Sequence, residues 1–316
     1  MTVDPILALE SLGYTRREAA FLYLVAAHSG YFLRRQFDYF VDRNDGHLAQ
    51  RFIEKARAAG HIAVLDYGQR RQVHHLFYKQ IYRLVGDAES QNRRRKGDAA
   101  IRARLISLDY VLGHENDRYF ESAAERLRFF AEVRRIPVEH FSDGYGRLHP
   151  LLAAYPIAIA DREHPVSTPV KLVFADEALM TIEKFKRFLS VTEPLLRSLG
   201  SVEVIYCSNS AQNFEAALGE FRKKFDAKPL NSQQSFGEEW RKNPPIAAQI
   251  DQPLQAKFTT LLFRSSYPKL RRDENASPNS THPTESSERQ QLLQMQQDGK
   301  NTGSNAGCGG GGSDPP

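Results

Sequence analysis

The run GHIAVLDYGQRRQVHHLFY, residues 60–78, carries two adjacent arginines, Arg70 and Arg71, at a turn between two alternating apolar segments. A hairpin tip has no core to receive guanidinium groups, and their fixed fork of N–H donors matches phosphate oxygens. Just upstream, HLAQRFIEKARAAG sets Leu48, Phe52, Ile53 and Ala56 on one side of a helix. His47, Gln50, Arg51, Glu54 and Arg57 fall on the other side, and Lys55 adds charge to the same helix. Gln and Arg are the side chains whose paired donors and acceptors fit adenine and guanine edges. A second segment, LRRQFDYFVD, offers Arg34 and Arg35 for backbone contacts. The chemistry predicted is recognition of a polyanion, not bond-making. A charged turn alone is also what any solvated loop presents, so the expectation rests on the helix and the turn together.

Signatures of other chemistry are missing from the sequence. It has no glycine-rich phosphate loop followed by Lys, no His–Glu zinc pair and no Gly-x-Ser-x-Gly elbow. Cys207 and Cys308 lie far apart, which gives no metal-ligand spacing and no disulfide scaffold. His74 and His75 are neighbours in a strand pattern, so their side chains point to opposite faces and serve structure before chelation. Neither a cofactor nor a metal is expected.

The charge is distributed unevenly. The net charge is +5, yet residues 1–96 hold 16 Lys/Arg against 10 Asp/Glu, whereas the remainder holds 27 against 28. The positive surplus therefore sits in the first third, as expected for a polyanion-binding module joined to a near-neutral body. At 316 residues the chain has room for about two domains. Met1 leads into Asp4 and Pro5 rather than a basic segment and an apolar run, and the longest apolar stretch, AAFLYLVAA, is short of a bilayer span. No membrane partner and a cytoplasmic location are the expectations.

Four pieces position these residues: a compact domain over 1–87, a charged linker over 88–98, an α/β domain over 99–272 and a polar tail over 273–316 expected to be disordered. In the first, Thr15 and Glu18 form a capping box for a helix that ends near Gly30. A shorter helix over LRRQFDYFVD, a third closed by Gly60, and two strands around GQRR follow. Three helices and a hairpin are the order of a winged helix-turn-helix, in which the third helix enters the major groove and the wing lies along the backbone. In the second domain, helices over AAIRARLISLDYVLG and DRYFESAAERLRFFAEV precede strands at PVEHFSD, YPIAIAD and VKLVFAD. A long helix that Pro194 should kink or divide, the strand SVEVIYCS and the helix AQNFEAALGEFRKKF complete it.

The pattern over residues 15–78 resembles the winged-helix domains of bacterial DNA-binding regulators. It is also similar to the N-terminal part of the replication-relaxation proteins of plasmids and mobile elements, which pair such a domain with a nuclease-like C-terminal fold. The resemblance implies double-stranded DNA as partner, a role in transcription regulation or in replication and transfer control, and dimerisation or partner contact for the second domain. The order helix, three strands, helix, strand, helix is also that of the restriction-endonuclease-like fold. That likeness implies an acid on the second strand, at Asp161, and a lysine on the third, at Lys171, with Mg²⁺ held by the acids. The sequence departs from the pattern, because Pro169 stands two before Lys171 where an acid belongs; Glu163, Asp176 or Glu177 would have to substitute. The favoured expectation is thus a degenerate nuclease-like domain without cleavage activity. A metal-dependent nuclease and a protein-interaction module stand as the alternatives.

Overall fold

The computed structural model describes residues 4–41, 46–68, 72–161, 163–177, 182–225 and 255–263. They belong to one contact unit, Met1–Leu270. The polar tail over 273–316 lies outside the described residues, as do Arg70 and Arg71. The described chain is α+β, with helices and mixed sheets. Among the described residues no helix is long and apolar enough to cross a membrane.

The first helix, α1 (Pro5–Glu10), was not foreseen; Asp4 caps it by accepting from the Ile6 amide, with Pro5 at the first position. Next, α2 (Arg16–His28) starts on the predicted capping box. The Glu18 amide donates to Thr15 Oγ1 (3.4 Å), and the Thr15 amide donates to Glu18 Oε2 (2.8 Å). Gly30, at φ 78°, turns the chain into β1 (Tyr31–Phe32). Then come α3 (Arg34–Phe40), α4 (Gly46–Ala58), β2 (Ile62–Asp66), β3 (Gln72–Leu76) and α5 (Lys79–Leu84). The strands form an antiparallel sheet in the order β1-β3-β2. Its register sets His75 opposite Tyr31 and His74 opposite Phe32. His75 stacks on Tyr31 at 4.4 Å between ring centres, and His74 lies tilted against Phe32 at 4.9 Å.

An aromatic cluster holds these helices together. Phe21 of α2 meets Phe32, Phe37 and Phe52 edge-on, and Phe37 of α3 stacks on Phe52 of α4 at 4.4 Å. All four are buried. Removing each ring from water contributes about 1.5–3 kcal/mol, which fixes the spacing of α3 and α4.

The stretch 88–98, expected as a charged linker, is packed. It makes a 3-10 turn, Gln91–Arg93, whose buried Asn92 donates to the carbonyls of Ala26 and Ala27 at the end of α2 (both 3.0 Å). Its three arginines and lysine follow a polar residue that caps a helix C-terminus.

From there α6 (Asp98–Gly113) runs between the two sheets. Leu108 and Leu112 pack into the helical core, whereas Ile101, Leu105, Ile106 and Val111 pack with Val173, Ile205 and Cys207 of the second sheet. That sheet joins β4 (Arg118–Tyr119), β5 (Ile157–Ile159), β6 (Val170–Asp176), β7 (Ser201–Ser208) and β8 (Gln255–Leu262) in chain order. Pairing is antiparallel from β4 to β6 and parallel from β6 to β8. Between them lie α7 (Ala123–Arg128), α8 (Pro150–Ala154), α9 (Glu183–Ser198) and α10 (Phe214–Phe225). Phe185, Phe188 and Leu189 of α9, with Phe221 of α10, cover the face opposite α6. The strand expected at PVEHFSD is corrected to a 3-10 turn over Val138–His140. Of the kink or division expected at Pro194, division does not occur, since α9 runs through it.

Gly30 lies where only glycine fits: a Cβ there would stand 2.0 Å from the carbonyl oxygen of Asn92. Gly60 shares the left-handed conformation (φ 68°) but has open space around it. Gly60→Ala is expected to cost about 1–2 kcal/mol, the backbone term alone. Gly30→Ala should cost clearly more, because it also displaces the 3-10 turn. Urea unfolding midpoints of the two variants check the order.

Candidate nucleic-acid interface

The amphipathic partition of α4 departs from the predicted one at one position: Phe52, Ile53 and Ala56 are buried, but Ala49 takes the fourth buried place and Leu48 is only half-buried. His47, Gln50, Arg51, Glu54 and Arg57 are exposed. The side chains joining them on one surface come from neighbouring elements. A groove of about 320 Å³ between α4 and the β2–β3 hairpin is lined by Arg34, Gln50, Glu54 and Arg57 on the helical side and by Val64, Gln72 and His74 on the strand side. Within it Gln50 Nε2 donates to Glu54 Oε1 (2.6 Å), joining the two into one polar edge. Burial holds the His74 imidazole down at about 4, so it is neutral near pH 7 and adds no cation. Sequence reading missed Val64, Gln72 and His74. Strand alternation puts residues 72 and 74 on one face, but which face turns toward α4 depends on how the hairpin packs.

The predicted cations divide into two groups. Arg51 and Arg57 are exposed and, among the described residues, form no ion pair. Arg34 is half exposed, with Nε 3.9 Å from Asp38. Arg35 is corrected: its guanidinium binds Asp109 of α6 at both oxygens (2.9 and 2.8 Å), so it is a structural tie and not an outward donor. Lys55 is also corrected. Its Nζ lies 2.6 Å from Glu18 Oε2 and 5.6 Å from the centre of the Tyr14 ring, which fastens α4 to α2. Arg70 and Arg71 belong to the short connection after Gly68, outside the described residues.

The pair inferred from the nuclease-like pattern is not assembled. Asp161 lies beyond β5, exposed, accepting from His164 Nδ1 (2.8 Å) and from the Glu163 amide (2.8 Å). That loop capping holds its carboxyl below the ordinary range, the His164 bond contributing most. Lys171 pairs with Ala158 in the ladder and donates to both carboxylate oxygens of Asp117 (2.7 and 2.8 Å), largely buried. Two of the three substitute acids are also engaged: Asp176 accepts from Tyr206 Oη (2.6 Å) and Asn213 Nδ2 (3.2 Å), and Glu177 pairs with Lys184, whereas Glu163 is exposed. Among the described residues no group of three His, Cys, Asp or Glu side chains is placed to hold a metal ion. Asp117 was missed because it precedes a two-residue strand that no periodicity reveals.

Comparison with family models, with curated proteins and with solved structures gives no match for this chain.

The Lys171–Asp117 contact is structural, and breaking it leaves one charge buried alone. Lys171→Ala is expected to lower stability by about 3 kcal/mol. Adding Asp117→Ala should recover part of that loss, so the coupling energy in a double-mutant cycle is favourable. Additive losses in urea titrations would mean that the two groups do not act as a pair.

Proposed function

We propose that the first 87 residues are a winged helix-turn-helix domain that binds double-stranded DNA, with α4 in the major groove and the β2–β3 hairpin as the wing. One observation carries this reading. The polar side of α4, Arg34 and the near strands of the hairpin share a single groove, so Gln50, Glu54 and Arg57 stand beside the segment that leads to Arg70 and Arg71. Gln50 and Arg57 are the base-reading candidates. Arg34 and Arg51, with the wing arginines, supply phosphate contacts. The biological role that fits is transcription regulation, or replication and transfer control of a mobile element.

The second half supports this reading as a degenerate restriction-endonuclease-like domain. Its strands run in chain order, with β5 antiparallel to its neighbours and β6 to β8 parallel. The lysine that would orient a water in such a site is neutralised by Asp117 instead. A body that holds the reading head, rather than cutting, is the function we assign to it.

Fluorescence anisotropy with duplex DNA at several salt concentrations tests the reading. Binding is expected to weaken linearly on a log–log scale. The slope should fall by roughly 0.9 for each phosphate-contacting cation removed, and so by nearly 2 for the Arg70→Ala, Arg71→Ala pair. Gln50→Ala should cost about 1–3 kcal/mol on a preferred sequence and little on random duplex. Arg35→Ala should lower stability and leave the salt slope unchanged. A slope near zero for the wild-type protein would remove DNA as the partner.

A further inference from the structure

Two arginines lie in the body without a carboxylate. Arg126 of α7 is 4% exposed. Its Nε donates to the Phe120 carbonyl (2.7 Å), and its Nη1 donates to the carbonyls of Leu152 (2.6 Å) and Tyr155 (3.1 Å). Arg104 of α6 donates Nη1 to the carbonyl of Ala154 (2.6 Å), the residue before Tyr155. The two guanidinium groups therefore converge on adjacent backbone carbonyls, and Arg104 holds the Arg126 pKa down, second only to burial. Among the described residues neither forms an ion pair, and Arg126 Nη2 has no hydrogen-bond partner. Backbone carbonyls satisfy N–H donors but carry no net charge. Two like charges so placed in a low-dielectric interior are costly unless an anion joins them.

Both arginines line one cavity of about 210 Å³, beside His28, Asn92 and Tyr155. His28 is 3% exposed and neither ring nitrogen has a hydrogen-bond partner. Burial, with Arg126 and Arg104 nearby, lowers its pKa to about 3, so it is a neutral ring able to donate one N–H. The acids at the cavity are poor counter-ions. Glu89 pairs with Lys79 (2.8 Å), and Asp87 is exposed. Glu121 accepts from Tyr23 Oη, its Oε1 lies 3.9 Å from His28 Nε2, and burial raises its carboxyl toward the neutral form.

We propose that this cavity is a binding site for a phosphate group, held by Arg104 and Arg126 with His28 as a third donor. The forked donors suit a tetrahedral oxyanion, and the volume suits a free phosphate or the phosphate end of a small metabolite better than a drug-sized ligand. The site lies away from the α4 groove and does not depend on the DNA reading.

Titration of the full chain with inorganic phosphate, and separately with adenosine monophosphate, tests it, with sodium chloride holding the ionic strength constant. Thermal unfolding and calorimetry should both show one saturable site with either probe. Tighter binding of adenosine monophosphate would identify a phosphorylated metabolite as the source, and tighter binding of inorganic phosphate would identify the free ion; both support the site. Because Arg126 ties three carbonyls, its removal risks the fold, so two other variants decide. Arg104→Gln should weaken binding at least ten-fold. Ala123→Glu places a carboxylate at the exposed first position of α7, where it also favours the helix. It should abolish binding without lowering the midpoint of the unliganded protein. A non-saturating response to both probes, or equal affinity in the wild type and Ala123→Glu, would overturn the proposal.

Discussion

The buried carboxylate of Asp109 is the constraint on which the arrangement of the two halves depends. It accepts both nitrogens of the Arg35 fork and the amide of Gln36, which in turn donates to the Leu105 carbonyl and accepts from the Leu33 amide. All but the local Leu33–Gln36 bond join α3 to α6, and α6 is shared by the helical core and the second sheet. A bidentate charged pair whose carboxylate also accepts a third hydrogen bond is directional in a way that the surrounding leucines are not. The apolar contacts supply most of the attraction between these layers, and the Asp109 cluster sets their angle and register.

That constraint changes how the positive charge of the first third is understood. A surplus of cations predicts a polyanion surface only when the cations are free to face one. Arg35 and Lys55 are spent on Asp109 and Glu18, and Lys79 on Glu89. Arg51 and Arg57 stay outward because the buried side of α4 is fully taken by Ala49, Phe52, Ile53 and Ala56. Charge counted along the sequence overstates the interface, and the helical period corrects the count for α4 but not for α3. There Arg34 and Arg35 are neighbours, and only the position of α6 decides which of them turns inward.

The elements legible in the sequence are those whose signals are local. The Thr15–Glu18 box, the glycine after α4 and the alternation of VKLVFAD and SVEVIYCS each act within a few residues. The elements that were missed owe their existence to a partner. Two-residue strands such as β1 and β4 become strands only because β3 and β5 lie alongside them. The polar run over 88–98 looks like a linker because burial of Asn92 is decided by the end of α2, more than sixty residues earlier. Lys171 illustrates the same limit at a candidate site. A lysine opening a strand fits a nuclease pattern, and its actual partner, Asp117, is separated from it by more than fifty residues with no spacing rule to link them.

The cations withdrawn from the surface still serve the proposed interface. A helix that reads base edges must hold its side chains in a fixed register, since discrimination rests on donors meeting acceptors within tenths of an ångström. The helix α4 is held from three directions: by Phe37 stacked on Phe52, by Lys55 joined to Glu18, and by the hairpin that follows Gly60. Tyr14 strengthens the second of these, lying under Lys55 and donating or accepting a 2.7 Å bond with His61 Nδ1 at the start of the hairpin. Glu18, Lys55, Tyr14 and His61 thus form one chain from the cap of α2 to the base of the hairpin. It orients Gln50 and Arg57 relative to the strands that carry Gln72 and His74, so charge lost from the proposed interface is what keeps the remainder of that face in one geometry.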